Sequence, residues 1–394
     1  MTDSNYDLSD SKRRGNAVLG ERLSSIRQKI KDKTELNVVS YIYDNSCLLH
    51  KNLPVTDESG NEIDHQESKY RIAKINGIVF HTGLNNILMM GGSIQVTRSD
   101  ILKIHNEEYL NHLIEICEAN EPCEIELPSS EISITDGESM TAMLAAIGSV
   151  KGGINMVCSN AEIDEDTLKQ QYSGVGPEFR TNTVRRAFCN VRPPGHHAFP
   201  DHGSGFCFLN NIMIGAQYAL DNYSHINKIL IVDWDLHHGD GSQHITHSSL
   251  SDEILYASFH RGPDFYPYTG TTKDNKNKCV LNFPFSANTS IDDYIDKFDN
   301  EFLPIAYGYD PDLILISAGF DSHKDDKYHE LPLDYSDYEY MTMKLIDLAE
   351  TTSEGRIVSI LEGGYTIDVL MRSVAIHIAT MIDYNGEIKV NNQN

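Results

Sequence analysis

Strand-like and helix-like segments alternate through most of the chain. Short runs of branched and aliphatic residues predict strands that are buried on both faces. Segments with apolar residues at three- and four-residue spacing predict helices. The predicted strands cover residues 37–43, 183–191, 228–232, 254–259, 279–283, 313–317 and 357–361, and the predicted helices cover 69–80, 107–118, 139–150, 206–220, 291–307, 335–350 and 367–383. This alternation predicts an α/β fold with a central, mostly parallel sheet flanked by helices.

The first 36 residues have a different pattern. Residues 11–35 are polar apart from an apolar stripe at Leu19, Leu23, Ile26 and Ile30. That spacing predicts a helix with one apolar face, packed either on the body of the protein or on another subunit. We therefore expect a polar N-terminal extension with a helix over residues 1–36, one catalytic domain over 37–384 and a polar tail over 385–394.

Composition narrows the class of protein. The chain has 394 residues, of which 40% are hydrophobic and 23% charged, as in soluble globular proteins. No apolar run approaches the eighteen or so residues that cross a bilayer, so we expect no membrane association. Seven cysteines at irregular spacing include no CxxC pair, which favours a reducing compartment, the nucleus or the cytoplasm.

The charge is strongly acidic. There are 58 acidic and 32 basic residues, giving a formal net charge of −26. Such a field repels nucleic acid, so we expect no direct nucleic-acid binding. It favours a cationic partner, such as a lysine-rich tail or a polyamine, although solubility alone would also account for it.

Candidate metal ligands follow two of the predicted strands. Asp235 and His237 come directly after the strand at 228–232, two residues apart, so both point to one side of an extended segment. Asp321 follows the strand at 313–317. The carboxyl ends of parallel strands are where ligands bind in such sheets. An Asp/His/Asp set would leave a position for water, which is typical of a catalytic metal site.

Two further strand ends supply groups for proton transfer. His196 and His197 follow the rigid Arg-Pro-Pro-Gly turn that begins at Arg192, and Tyr365 ends a Leu-Glu-Gly-Gly-Tyr sequence. With a metal, these groups predict hydrolysis of an acyl bond, in which a histidine moves the proton and Tyr365 stabilises the oxyanion. Asp233 and Asp240 lie close enough in sequence to orient the imidazoles.

Five motifs in order carry a family resemblance. They are RPPGHHA, GFCFLNN, VDWDLHHGDG, SAGFD and LEGGY, at residues 192–198, 205–211, 232–241, 317–321 and 361–365. Together they resemble the zinc-dependent histone deacetylase family over roughly residues 37–383. The tryptophan in the third motif, with SAGFD and LEGGY, is similar to the class II and acetylpolyamine amidohydrolase branch. The resemblance implies the arginase/deacetylase fold, one Zn²⁺ per chain and a structural K⁺.

The resemblance also implies residue roles. The zinc ligands would be Asp235, His237 and Asp321, although these donor atoms also suit iron. The tandem histidines would pair with Asp233 and Asp240, with His197 as the principal general base and acid and His196 mainly electrostatic. Tyr365 would stabilise the oxyanion, and K⁺ would use Asp233 and Ser258 with backbone carbonyls.

The resemblance also implies which residues would bind the substrate. Phe206 and Tyr266 would form the walls of an acyl-lysine tunnel, and the Gly205 carbonyl would accept the substrate amide hydrogen. Tyr328 stands at the tunnel mouth, where a leucine is common in class II enzymes. The family's substrate-orienting aspartate, on the loop before Ser139, has no clear equivalent; Glu131 is the nearest acidic residue.

The sequence leaves three hypotheses for the function of this protein. The leading hypothesis is hydrolysis of Nε-acetyl-lysine in proteins such as histones. A second is deacetylation of acetylpolyamines, which a carboxylate at the tunnel mouth would favour; Tyr328 supplies none. A third is a silent acyl-lysine-binding scaffold, which the complete set of metal, base and tyrosine residues disfavours. An oligomer could form through the N-terminal helix.

Overall fold

The computed structural model describes residues 8–386 apart from 57–59, 120–122, 128–129, 135–137, 165, 169–171, 173–177, 251 and 277. The helices are α1 (Leu8–Asp32), α2 (Tyr70–His81), α3 (Arg98–Leu102), α4 (Glu107–Ala119), α5 (Glu138–Cys158), α6 (Asn211–Asn222), α7 (Asp240–Ser249), α8 (Ile291–Asp296), α9 (Leu303–Tyr309), α10 (Tyr335–Thr352) and α11 (Ile367–Asp383). A π-helical segment, Lys297–Phe302, joins α8 to α9. The predicted helix at 291–307 is therefore one continuous helical stretch with a wider turn in its middle.

A parallel sheet forms the centre of the molecule. Its strands are β1 (Val39–Tyr43), β4 (Met89–Gly91), β7 (Arg186–Asn190), β8 (Ile229–Asp233), β9 (Ile254–Arg261), β10 (Val280–Phe285), β11 (Leu313–Ala318) and β12 (Ile357–Leu361). The order across the sheet is β10-β9-β8-β11-β12-β7-β1-β4, and every pairing is parallel. The predicted α/β fold with its parallel sheet is confirmed. Two hairpins lie outside it: β2 (Val55–Thr56) with β3 (Glu62–Ile63), and β5 (Cys123–Leu127) with β6 (Ser130–Ile134).

The sheet order decides where the polar strand ends meet. Strands β8 and β11 are neighbours, with Ser317 opposite Asp233, and β12 and β7 follow on the far side of β11. All residues of β7, β8, β11 and β12 are buried, as expected for parallel strands covered by helices on both faces. The carboxyl ends of these four strands therefore lie side by side at one edge of the core.

One predicted helix begins later than expected. The pattern predicts a helix from residue 206, whereas α6 begins at Asn211, with the Asn210 side chain accepting a hydrogen bond from Met213 N (3.2 Å). Gly205 and Phe206 have φ values of 50° and 68°, in the left-handed region. Such residues cannot continue a right-handed helix. The prediction was therefore wrong for residues 206–210, because apolar spacing does not report backbone handedness.

The N-terminal helix packs on the body of the protein. Leu19 and Ile26 are buried, and Leu23 and Ile30 pack against the core. Arg22 pairs with Asp383 at the end of α11 (3.1 Å). The sequence allowed the apolar stripe to pack either on the body of the protein or on another subunit. In the described residues it packs on the body of the protein.

Helix α5 is both long and apolar. It is the only helix of the described residues that is long and apolar enough to cross a bilayer, and 78% of its most apolar window is buried inside the protein. It packs against α6 and the sheet. Its apolar character is thus accounted for by the core, although the sequence pattern had predicted no such segment.

Candidate active site

Three candidate metal ligands converge at the ends of β8 and β11. Nδ1 of His237 lies 3.1 Å from Asp235 Oδ1 and 3.1 Å from Asp321 Oδ2. The three side chains can each offer one donor atom within 4.8 Å of the others, and all three are buried. The structure thus brings together the Asp/His/Asp set that the strand ends predicted.

The backbone fixes these carboxylates in place. Asp235 Oδ2 accepts a hydrogen bond from Gly363 N (2.7 Å), and Asp321 Oδ1 accepts one from Leu236 N (2.9 Å). A side chain at Gly363 would collide with the carboxylates of Asp235 and Asp321. Gly363, the first glycine of the LEGGY motif, therefore allows the close approach that the sequence indicated.

The charges at this point fit a divalent cation. Burial and, next in size, the charge of the neighbouring Asp235 carboxylate raise the pKa of Asp321 to about 7. Two buried carboxylates that face one another require a positive partner. A divalent ion would supply one, and an oxygen, nitrogen, oxygen donor set suits zinc or iron. The residues present therefore fit the implied metal.

Two histidine–aspartate pairs lie beside the metal ligands. Nδ1 of His196 is 3.1 Å from Asp233 Oδ2, and Nδ1 of His197 is 2.8 Å from Asp240 Oδ1. The imidazole centroids of the two histidines are 4.1 Å apart. The pairing is the one that the resemblance implied, residue by residue.

The two imidazoles differ in their electrostatics. Burial lowers the pKa of His196, but the carboxylates of Asp235 and Asp233 outweigh this and raise it well above its ordinary value. Burial lowers the pKa of His197 to about 4, and the positive charge on His196 acts in the same direction, whereas Asp240 opposes it. In the absence of a metal charge, His197 is thus the histidine of the two that stays neutral and able to accept a proton at neutral pH.

Tyr365 lines the same cavity as His197 and His237. Burial raises the pKa of its phenol well above the ordinary value, as does the Asp321 carboxylate, so the hydroxyl keeps its proton and remains a donor. Asp326 accepts hydrogen bonds from the backbone N–H groups of Tyr365 and Thr366, both at 2.8 Å. No sequence motif singled out Asp326, which holds the tyrosine's backbone from the loop after β11.

The sequence also gave no indication of a buried ionic network beside the site. Arg192 Nε donates to Glu67 Oε1 (2.7 Å), and Arg71 pairs with the same oxygen (3.2 Å). Arg71 also donates to the Gly364 carbonyl (2.7 Å), and its guanidinium lies 5.0 Å from the centroid of the Tyr365 ring. Burial raises the pKa of Glu67, but the two arginines lower it to about 2. The network links the turns that carry the histidines and the tyrosine. Glu67 and Arg71 are four residues apart, but no local spacing could have paired Glu67 with Arg192, which is 125 positions away.

A cavity of about 710 Å³ leads to these groups. Gly205, Phe206, Tyr266 and Tyr328 all line it, as predicted for a tunnel. The Tyr266 hydroxyl lies 2.8 Å from Ser204 Oγ. Phe265, which the sequence did not single out, also lines the cavity and stacks on His237 with ring centroids 5.5 Å apart.

Other predicted residues lie apart from the cavity. Asp233 and Ser258 are opposite each other on β8 and β9, so the suggested potassium pair is adjacent; the Ser258 hydroxyl lies 2.8 Å from His260 Nδ1. Glu131 is in β6, and its side chain lies outside the described residues. Outside the predicted set, His323, two residues after Asp321, contacts Asp334 (3.3 Å) and belongs to a separate cluster from the three candidate metal ligands.

Comparison with known proteins agrees with this geometry. The structure resembles the crystal structure of the HDA15 HD domain, with a TM-score of 0.73 and 26% identity, over 88% of both chains. The fold is therefore the arginase/deacetylase fold. Residues 65–381 match the family described as the histone deacetylase domain. The chain belongs to the histone deacetylase family, which confirms the resemblance seen in the motifs.

Two curated relatives add detail. The chain is 37% identical over 203 residues to Histone deacetylase clr3 from Schizosaccharomyces pombe, covering 49% of this chain and 29% of that protein. It is 38% identical over 200 residues to Polyamine deacetylase HDAC10 from Danio rerio, covering 48% of this chain and 29% of that protein. The matched region spans less than a third of either relative.

Proposed function

We propose that this protein is a metal-dependent amidohydrolase that removes acetyl groups from Nε-acetyl-lysine in proteins. The observation that carries the proposal is the convergence of Asp235, His237 and Asp321 beside two histidine–aspartate pairs at the base of one aromatic-walled cavity. An acidic protein with a net charge of −26 suits the cationic surroundings of a lysine-rich segment.

The proposed cofactor is a single Zn²⁺ held by Asp235, His237 and Asp321. When bound, the ion would polarise the acyl carbonyl and lower the pKa of water at the site. A structural K⁺ near Asp233 and Ser258 is proposed from the family resemblance and the adjacency of these two residues.

The chain's own residues would move the protons. His197 would accept the proton of the attacking water and later deliver it to the leaving amine nitrogen, with Asp240 fixing the ring through Nδ1. His196, drawn toward the charged form by Asp235 and Asp233, would act mainly through its charge. The Tyr365 hydroxyl would donate a hydrogen bond to the developing oxyanion.

The cavity walls suit a slender, neutral acyl-lysine side chain. Phe206 and Tyr266 supply apolar faces along the aliphatic stem, and the Gly205 carbonyl would accept the amide hydrogen. The proposed partners are acetylated proteins, histones among them, with no direct nucleic-acid or membrane contact, in the nucleus or the cytoplasm.

Deacetylation of acetylpolyamines is the second candidate. The similarity to a protein named as a polyamine deacetylase and the acidic net charge favour it. Against it, Tyr328 itself offers no carboxylate to a distal ammonium group, although Asp64 and Asp264 also line the cavity and could supply one. A silent acyl-lysine-binding scaffold has less support, because the candidate metal ligands, both histidine–aspartate pairs and Tyr365 are all present.

The test is turnover by protein with a defined metal content. We expect acetyl-lysine peptides to be hydrolysed with a higher kcat/KM than acetylspermidine, and chelation followed by zinc addition to abolish and restore the activity. Higher kcat/KM on acetylspermidine would replace the leading proposal with the second one. Binding of acetyl-lysine peptide without any turnover by the zinc-loaded protein would support the scaffold.

A further inference from the structure

One short loop segment forms part of the cavity mouth. Asp64, His65 and Gln66 lie between β3 and α2 and line the cavity. They face Lys327 and Tyr328, which lie on the loop after β11 and line the same cavity. The mouth is therefore formed where two loops distant in sequence meet.

The Gln66 side chain joins these two loops. Its Nε2 donates a hydrogen bond to the Tyr328 hydroxyl (2.9 Å), and its Oε1 accepts one from Lys327 Nζ (2.7 Å). Both ends of one amide are thus used by two consecutive residues of the opposite loop. An amide bonded at both ends holds its partners in one arrangement more firmly than a single bond would.

The Tyr328 ring lies close to the reacting groups. Its centroid is 5.2 Å from that of His237 and 5.6 Å from that of Tyr365, edge to face in both cases. The orientation of this ring therefore determines how much space is left beside the candidate metal ligand and the candidate oxyanion donor.

The neighbouring residue contacts the opposite wall. His65 lies edge to face with Phe206, with centroids 4.8 Å apart. The same segment thus reaches two walls of the cavity, through His65 to Phe206 and through Gln66 to Tyr328. A shift of this segment would change the width of the cavity on two sides.

We propose that Gln66 is a positioning residue that determines acyl-group size selectivity. By binding Tyr328 and Lys327, it holds the Tyr328 ring beside His237 and Tyr365 and restricts the space next to the reacting amide to a short acyl group. The inference rests on the proposed deacetylase function and names the substrate class within it, lysine bearing a short, neutral acyl group.

The experiment measures kcat and KM for acetyl-lysine and butyryl-lysine versions of one peptide, with zinc-loaded protein. Gln66→Leu keeps a similar length without a donor or acceptor, and Tyr328→Phe removes only the hydroxyl. We expect either change to lower the acetyl-to-butyryl ratio of kcat/KM by at least about fivefold, since small differences in pocket volume are worth that much. The double variant should be little worse than either single one, because both remove the same bond.

Two controls separate positioning from general damage. Lys69→Ala, at an exposed residue outside the cavity lining, should leave the ratio unchanged. Gln66→Glu should keep the acetyl-to-butyryl ratio of kcat/KM near that of the wild type, because a carboxylate still accepts hydrogen bonds from Tyr328 and Lys327.

An unchanged ratio in Gln66→Leu and Tyr328→Phe, or effects of the two that simply add, would overturn the role of Gln66 while leaving the proposed function intact. A loss of turnover that is equal for both acyl groups would overturn it as well. Absence of any turnover by the zinc-loaded wild type would overturn both proposals.

Discussion

The floor and the mouth of the cavity are built by different means. The floor consists of Asp235, His237 and Asp321, buried side chains at the ends of neighbouring strands, with carboxylate oxygens bonded to backbone N–H groups. The mouth consists of loop residues such as Gln66, Lys327 and Tyr268, the last with 68% of its surface exposed. Its contacts are side-chain hydrogen bonds and ring contacts between loops, such as those of Gln66 and His65.

The difference separates chemistry from selectivity. A buried site surrounded by fixed dipoles keeps its geometry and strengthens each electrostatic interaction, as reaction chemistry requires. Loops at a mouth can change without disturbing the core. We therefore expect substitutions at the floor to abolish turnover, those that support the floor to reduce it, and those at the walls and mouth mainly to change which substrate is used.

The largest effect is expected at a candidate metal ligand. Asp235→Ala should lose the metal and reduce turnover by more than about a thousandfold, since the remaining ligands cannot hold the ion. Metal content by elemental analysis, with activity on an acetyl-lysine peptide, checks this. The matched control is Asp64→Asn, an exposed carboxyl at the mouth, which should keep the metal and stay within about threefold of the wild-type rate. Full metal content in Asp235→Ala would contradict the assignment of this ligand.

The next largest effects are expected at the groups that move protons or stabilise charge. His197→Ala and Tyr365→Phe should each lower kcat by at least about a hundredfold with the metal content unchanged. The change at Tyr365 removes one hydroxyl and no ring contact. A near wild-type kcat in either variant would remove that residue from its proposed role.

A smaller effect is expected at Asp326, which holds the backbone of Tyr365 in place. Asp326→Ala removes the acceptor for the backbone N–H groups of Tyr365 and Thr366. The loosened tyrosine should reduce kcat by about tenfold and leave KM within about twofold, because a misplaced transition-state donor affects the chemical step. Combining it with Tyr365→Phe tests the mechanism: the double variant should be no slower than Tyr365→Phe alone, and additive losses would place the effect elsewhere.

The smallest effect is expected at a wall. Tyr266→Phe removes the hydroxyl that lies 2.8 Å from Ser204 Oγ and keeps the ring that faces His197. We expect kcat/KM for an acetyl-lysine peptide to change by less than about threefold, because the ring's apolar face supplies the contact. Tyr266→Ala is the comparison and should lose much more through KM. Equal losses in the two variants would show that the hydroxyl, and not the ring, carries the function of this wall.

Local sequence determined the framework and the floor of the site. The aliphatic run before Asp235 predicted a strand buried on both faces, which β8 is, and strand β12 has the predicted bounds, Ile357–Leu361. The metal-ligand candidates and the histidines follow such strands within a few residues. The carboxyl ends of parallel strands lie at the same edge of a sheet. The sequence therefore predicted that these groups would lie close together, although it did not give the order of the strands.

Tertiary structure alone decided the supports and the mouth. Glu67 and Arg192 are 125 positions apart, and Gln66 and Tyr328 are 262 apart. No periodicity relates such residues, because their contacts depend on how loops from different crossovers fold over one edge of the sheet. The start of α6 was predicted wrongly for a related reason. The backbone at Gly205 and Phe206 is left-handed and Gly205 lies close against the His197 ring, and apolar spacing encodes neither feature.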